Sequence, residues 1–270
     1  MQNKLGKIGI IGGTGWLGSA IIKQMLLHDY IQPAEVWVSN RSGKRIHFEN
    51  YPAIHVTNDN QELINHCDTL ILSVRPQDFL SLNIKVRDHL IISVMAGVTT
   101  QHIADTLAAE RVVRAMPNAA VEIGLSYTPW FATASVDQSA LMSVQILFST
   151  FGETDQVFHE DQIDFFTALT GSGQGWVAFF ESCLIQCAIK HGLKPDMAER
   201  SIRQLFRGMG NLLFQSPDSM EAVVKLLVDY AGTTAAGLIQ MQNTRIVKDV
   251  ESGITAAYQK AKSDMTASDE

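Results

Sequence analysis

The chain has little cysteine, no surplus of positive charge and no apolar run long enough to cross a bilayer, and each lack excludes a class of protein. Three cysteines in 270 residues, Cys67, Cys183 and Cys187, are too few for a disulfide scaffold. Cys183 and Cys187 stand one helical turn apart on an apolar segment, where buried free thiols are expected rather than metal ligands. The eight histidines are scattered without ligand spacing, so no metal site is expected. A formal net charge of −7 argues against nucleic acid or a membrane surface as partner, since both call for a basic face. The start of the sequence carries no apolar signal segment, and there is no internal repeat or low-complexity linker. These lacks lead to the expectation of a reduced, cytoplasmic, metal-free protein. What is present, 46% hydrophobic and 18% charged residues, suits one large globular domain or two moderate ones.

The stretch with most content is residues 7–18, Lys-Ile-Gly-Ile-Ile-Gly-Gly-Thr-Gly-Trp-Leu-Gly. A β-branched run breaks into glycines, and an apolar-periodic segment (Ile21, Ile22, Met25, Leu26) follows, which reads as strand, tight turn and helix. Glycine lets the backbone approach a ligand closely, and the helix points its free N–H groups into the turn. Placed after the first strand, this matches the dinucleotide-binding fingerprint, in a Gly-x-x-Gly-x-x-Gly spacing from Gly12. Gly12, Gly13, Thr14, Gly15, Trp16 and Leu17 are therefore candidate cofactor contacts. The bland alternative is a strand–helix turn that binds nothing.

The end of the second strand, Glu35–Ser39, decides which cofactor fits. An acidic residue there accepts from the ribose hydroxyls of NAD, but this chain has Ser39-Asn40-Arg41-Ser42, then Lys44 and Arg45. A guanidinium can bind a 2′-phosphate that a carboxylate would repel. Asn40, Arg41 and Ser42 thus point to NADP(H), against the alternative of a merely solvated basic loop.

Further strands are expected at Ala53–Thr57, Asp68–Val74, Leu90–Met95, Val112–Met116, Leu125–Thr133 and Thr154–Phe158. Helices are expected at Asn60–His66, from Thr99-Thr100 through Leu107, and at Asp137–Phe151. This alternation builds a doubly wound sheet whose ligand lies at the carboxyl ends of the strands. That places Ser73, Val74, Arg75, Pro76, Ala96, Gly97 and Asn118 beside the cofactor. From about residue 160 the pattern has period 3.6 throughout, with one helix carrying Val177, Phe180 and Leu184 and the next opening at Pro195. Others are expected at Met220–Val228, Thr233–Gln242 and Arg245–Lys262, with the polar stretch after Lys262 frayed. The expected fold is α/β, an N-terminal Rossmann-like sheet followed by an all-helical domain, divided as 1–157 and 158–270.

Taken in order, the Gly-rich turn, 38–42, Ser73-Val74-Arg75-Pro76-Gln77, 93–99, Arg114-Ala115-Met116-Pro117-Asn118, Gly171-Ser172-Gly173 and 232–238 resemble pyrroline-5-carboxylate reductase, the last enzyme of proline synthesis. The resemblance implies an NADPH-dependent reductase of a cyclic imino acid, with the helical half forming a homodimer or larger homo-oligomer. It also implies that Asp229, Gly232, Thr233 and Thr234 line the substrate, with backbone N–H groups on its carboxylate and Thr234, the catalytic candidate, on the ring nitrogen. A protonated imine is already electrophilic, so positioning would supply most of the acceleration. The chain departs from the family pattern where Gln174-Gly175-Trp176 replaces Pro-Ala-Tyr and where Asp229-Tyr230-Ala231 replaces Ser-Pro-Gly. A carboxylate at Asp229 would repel the substrate's own unless it turns away or finds a cation.

Three other readings compete. The β-hydroxyacid dehydrogenases share the two-domain plan but carry a catalytic Lys one helical turn beyond a Gly-x-Gly, where this chain has Val177. Short-chain dehydrogenases use a Tyr-x-x-x-Lys pair, met here only as Tyr258 and Lys262 in the C-terminal helix. The third is not an enzyme but an NADP(H)-binding regulatory or interaction paralogue that has lost its substrate loop, the reading that Asp229 and Ala231 best support; beside these stands reduction of a related imine or carbonyl.

Overall fold

Ile8–Ile11 forms β1 with every residue buried, because its β-branched side chains pack on both faces of a central parallel strand. In the computed structural model, which describes residues 5–266, β1 is flanked by β2 (Val36–Ser39) and β4 (Thr69–Leu72), both parallel to it. With β3 (His55–Thr57), β5 (Leu90–Ser93), β6 (Val112–Ala115), β7 (Ser126–Ala132) and β8 (Gly152–Gln156), the sheet runs β3-β2-β1-β4-β5-β6-β7-β8. The chain order reverses between β1 and β4, which puts the topological switch point beside the glycine turn. β7 is antiparallel to β6, and β8 runs parallel to β7.

Helices cover both faces. α1 (Trp16–Leu27) and α5 (Gln138–Ser149) bury Ile21, Ile22, Val144 and Phe148 against Ile8, Ile10 and Trp130 on one side. α2 (Asn60–His66) and α4 (Thr100–Leu107) bury Leu63 and Ile103 against Ile11, Leu70 and Ile91 on the other. α3 (Pro76–Phe79) is a single turn that buries Phe79. Caps fix the boundaries: the Asp59 carboxylate accepts from the N–H groups of Gln61 and Glu62, Thr99 from His102, and Asp137 from Ala140. Cys67 is buried, and that burial, with Asp68 beside it, pushes its thiol up to about 12.

After β8 come α6 (Asp161–Phe166), a π-helical turn at Thr167–Gly171, α7 (Gly173–Lys190), α8 (Pro195–Phe214), α9 (Met220–Asp229), α10 (Thr233–Gln242) and α11 (Ile246–Thr266). The polar stretch expected to fray is helical as far as Thr266; residues 267–270 lie outside the described ones. The chain divides into two compact units, one reaching Gly173 and including the segment from Ala257 on, the other Gln174–Ala256. The last strand of the sheet ends at Gln156, just before the expected boundary at 157/158. The first unit extends beyond it because Ile163 packs with Met116 and Val157, and because Glu160 and Asp164 pair with Arg114.

The second unit buries little by itself. Ala198 and Ala235 are its only buried apolar residues, while Phe179, Leu212, Phe214 and Leu226 are each at least 60% exposed. Cys183 and Cys187 are exposed as well, which corrects the expectation of buried thiols. Helical periodicity marks a face that wants covering, but it does not say that the same copy of the chain covers it. Among the described residues no single helix is long and apolar enough to cross a membrane; α9 and α10 together have the composition but bend by 120° at their junction.

Candidate cofactor cleft and substrate loop

β1 ends at a turn that only glycine fits. Gly12 has φ +80°, its N–H donates to the Ser39 carbonyl at 3.1 Å, and a Cβ there would lie 2.5 Å from the Ser73 carbonyl oxygen. At Gly18 a Cβ would lie 2.9 Å from both Gly12 O and Gly13 Cα, so α1 packs directly on the turn. Gly15 caps α1 without a side-chain bond. The first-turn N–H groups of α1 are thereby left to a ligand, and an anion is what they favour. Leu17 packs its side chain against the core and does not line the cleft. The Trp16 indole N–H donates to the carboxylate of Glu122.

This turn opens on a cleft of about 580 Å³ whose walls include Thr14, the ends of β2 (Ser39 to Ser42) and the loop after β4 (Ser73 to Arg75). The sequence-predicted contacts at 12, 14, 15, 40–42 and 73–75 are thus brought together. Asn40 builds its own turn: its Oδ1 accepts from the Ser42 N–H at 2.9 Å and the Ser42 hydroxyl at 2.8 Å, and its Nδ2 donates to the Lys44 carbonyl at 2.9 Å. Arg45 donates to the carbonyls of Tyr51 and Ile54 and is spent on its own loop. Arg41, with 82% of its side chain exposed, pairs with Asp78 at 3.0 Å. Asp78 is also gripped by Arg75, Nε to Oδ2 at 2.8 Å and Nη2 to Oδ1 at 3.2 Å. The Arg75 hydrogen bonds foremost, with the charges of Arg75 and Arg41, hold the Asp78 carboxyl below the ordinary range.

Ala96 and Gly97 line a second cavity of about 270 Å³, together with Pro76, Ala168, Ser172 and Lys260. Gly97 takes φ +69°, which lets the chain turn from β5 toward α4. The first residue of α4 is tied down: Thr100 N–H and Oγ1 donate to the Glu160 carboxylate at 2.7 and 2.6 Å. Glu160 also accepts from the fully buried Arg114 at 3.2 Å, and Arg114 pairs with Asp164. Asn118 caps the turn after β6, its Oδ1 accepting from the Ala120 N–H at 3.0 Å. The sequence patterns missed Asp78, Arg114 and Glu160. The order of residues carries no sign of them, since each matters through a partner on another element.

The second unit holds the loop between α9 and α10. Asp229, the last residue of α9, pairs with Lys225 one turn back at 2.7 Å, so its charge does find a cation. Its hydrogen bond raises the Lys225 ammonium above its usual value. Tyr230 is 85% exposed, and Ala231 takes φ +57°, a left-handed conformation that costs a non-glycine residue about 1–2 kcal/mol. Gly232 caps α10 without a side-chain bond. Thr233 and Thr234 are therefore the first two helical residues. As at Gly15, the free N–H groups of this first turn suit an anion. Among the described residues no cluster of His, Cys, Asp and Glu could hold a metal ion.

Residues 160–264 match the family model described as pyrroline-5-carboxylate reductase dimerisation, and residues 7–97 match that of NADP oxidoreductase coenzyme F420-dependent. Pyrroline-5-carboxylate reductase 2 of Bacillus subtilis (strain 168) is 29% identical over 246 residues, 88% of each chain. A pyrroline-5-carboxylate reductase structure from Coxiella burnetii has a TM-score of 0.87 at 26% identity, covering 97% of this chain and 99% of its own. A pyrroline carboxylate reductase of Plasmodium falciparum with NADP bound shares the fold, with a TM-score of 0.80 at 22% identity over 98% of this chain and 100% of its own. The relatives run the length of both units, and one family model names the helical segment by its role: over nearly its whole length the chain is similar to pyrroline-5-carboxylate reductases.

Proposed function

We propose that the protein reduces the C=N bond of pyrroline-5-carboxylate to give L-proline, with NADPH as hydride donor, in the cytoplasm and as a homodimer or larger homo-oligomer. The observation that carries the reading is the cleft at the switch point. Its glycine turn has no room for a Cβ at Gly12, the α1 N-terminus is open to a pyrophosphate, and an arginine stands where an NAD enzyme places a carboxylate. These residues fit NADPH, which supplies the hydride when bound. Ser73 to Pro76 and Ala96-Gly97, at the carboxyl ends of β4 and β5, frame the cofactor, with Asn118 at the end of β6.

At the α9–α10 loop the N–H groups that Gly232 and Thr233 expose receive the substrate carboxylate, and the Thr234 hydroxyl bonds the ring nitrogen. The Lys225–Asp229 pair keeps the neighbouring carboxylate compensated. No strong general acid is called for, because hydride arrival neutralises a protonated imine; holding the reactants in near-attack geometry does most of the work. The three cysteines, all free, suit a reducing compartment.

Mixing the purified protein with NADPH and pyrroline-5-carboxylate tests the reading: NADPH absorbance falls and proline accumulates. A protein that binds NADPH but leaves it unoxidised would overturn it. Arg41→Ala is expected to weaken NADPH binding about ten- to a hundredfold while moving NADH less than about twofold, since one charge-assisted bond to the 2′-phosphate is lost. Titration by cofactor fluorescence checks this, and equal losses for both cofactors would remove Arg41 from the phosphate. The exposed apolar residues of the second unit need a partner of the same kind. Sedimentation at micromolar concentration is expected to show a dimer or larger species, and a stable monomer would contradict the assembly.

A further inference from the structure

We propose that Asp78 is a specificity-determining residue that holds down the preference of this cleft for NADPH over NADH by competing with the 2′-phosphate for Arg41. The proposal rests on the cleft being the NADP(H) site and goes beyond it in naming what tunes the choice. Three charges meet at the mouth of the cleft. Arg75 grips both oxygens of Asp78 from the same short turn, at 2.8 and 3.2 Å. Arg41, reaching over from the end of β2, makes one contact, Nη2 to Oδ2 at 3.0 Å. Oδ2 is thus shared by two guanidinium groups, and the two holds are unequal. Asp78 is anchored to Arg75, whereas Arg41 is the member free to move.

The two cofactors meet this cluster differently. NADH brings a hydroxyl to the 2′ position, a neutral group that leaves the Arg41–Asp78 pair intact. NADPH brings a near-dianion whose oxygens accept from a guanidinium more strongly than a shared carboxylate oxygen does. Either Arg41 leaves Asp78 for the phosphate, or it keeps both and draws the phosphate close to a carboxylate of like charge. Each course costs NADPH part of the gain that Arg41 offers, and neither touches NADH. The Asp78 side chain is 27% exposed, so solvent screens this effect but does not abolish it. Asn40 and Arg45 are committed to their own loop and Arg75 to both oxygens of Asp78, so Arg41, held by a single contact, is the group through which Asp78 acts.

The test is a double-mutant cycle on dissociation constants for NADPH and NADH, measured by fluorescence titration of the full-length protein. Asp78→Asn keeps the shape and removes the charge. It is expected to tighten NADPH about three- to tenfold, as loss of a screened like-charge contact implies, and to change NADH less than about twofold. In an Arg41→Ala background the same substitution is expected to leave the NADPH to NADH ratio unchanged. Asp78→Ser, which removes the carboxylate with a different shape, should reproduce the tightening. Unchanged or weaker NADPH binding, equal shifts for both cofactors, or a tightening that persists without Arg41 would each overturn the proposal. If the parent protein binds neither cofactor, the cofactor reading itself falls, which is a distinct result.

Discussion

Arg114→Leu is expected to destabilise the protein by about 3–5 kcal/mol, because it breaks a buried ion triad from its centre. Arg114 lies within β6 with none of its side chain exposed; Asp164 is 4% and Glu160 22% exposed. Removing the guanidinium leaves two carboxylates without the cation that bonds both of them, and one of them is nearly sealed from water. Glu160 would retain Thr100, whereas Asp164 would lose its hydrogen bond to the Arg114 guanidinium. The triad need not be a net source of stability, since charges taken out of water cost nearly what their attraction returns. Replacing all three members by apolar residues of similar volume is accordingly expected to recover most of the loss. Urea unfolding at matched protomer concentration reads both results. A single variant as stable as the parent would mean that Arg114 is not buried with its partners.

Thr234→Ala is expected to lower kcat by about a hundredfold with little change in stability, as misplacing a reactant by an ångström does. Thr234 is the second residue of α10, in a first turn whose cap, Gly232, offers no side chain. Its hydroxyl is therefore not needed to start the helix. Thr233→Ala, one residue earlier, should change kcat and KM little, because the proposed contact there is made by the backbone N–H, which alanine keeps. Thr234→Ser, which keeps the hydroxyl, should restore most of the turnover. Steady-state kinetics together with urea midpoints separate these outcomes. If Thr234→Ala leaves kcat unchanged, this loop does not hold the ring nitrogen.

How far the sequence reveals all this depends on whether a feature is local. Ile8–Ile11 and the glycines after it are legible because strand and turn are written side by side. Helices α2 and α10 fall at the expected bounds, the first because Asp59 caps it and the second because Gly232 stops the chain before it. β8 begins at Gly152 rather than Thr154; its Gly-Glu-Thr-Asp-Gln sequence alternates too weakly to mark a strand, and pairing with β7 supplies the rest. The reversed direction of β7 is invisible for a similar reason, since inward and outward alternation does not depend on the direction of the neighbour.

The candidate site residues divide the same way. Gly12, Gly15 and Arg41 can be read from type and spacing. Asp78 cannot, because it matters only where the ends of β2 and β4 meet. Arg114 sits in a run, Val-Val-Arg-Ala, that gives no hint of whether the charge faces inward; the carboxylates that allow its burial come 46 and 50 residues later. Cys183 and Cys187 show the converse, a pattern typical of a core that lies open on a single copy of the chain.

Hydride transfer from NADPH to the imine carbon of pyrroline-5-carboxylate is open to an isotope-transfer measurement. The purified protein is incubated with pyrroline-5-carboxylate and NADPH deuterated at the transferable position of the nicotinamide ring, and the proline formed is examined by mass spectrometry and NMR. The expected product is proline carrying one deuterium at the former imine carbon, formed in step with cofactor oxidation and slowed by Thr234→Ala. Proline without deuterium, or no proline from a protein shown to bind NADPH, would contradict it.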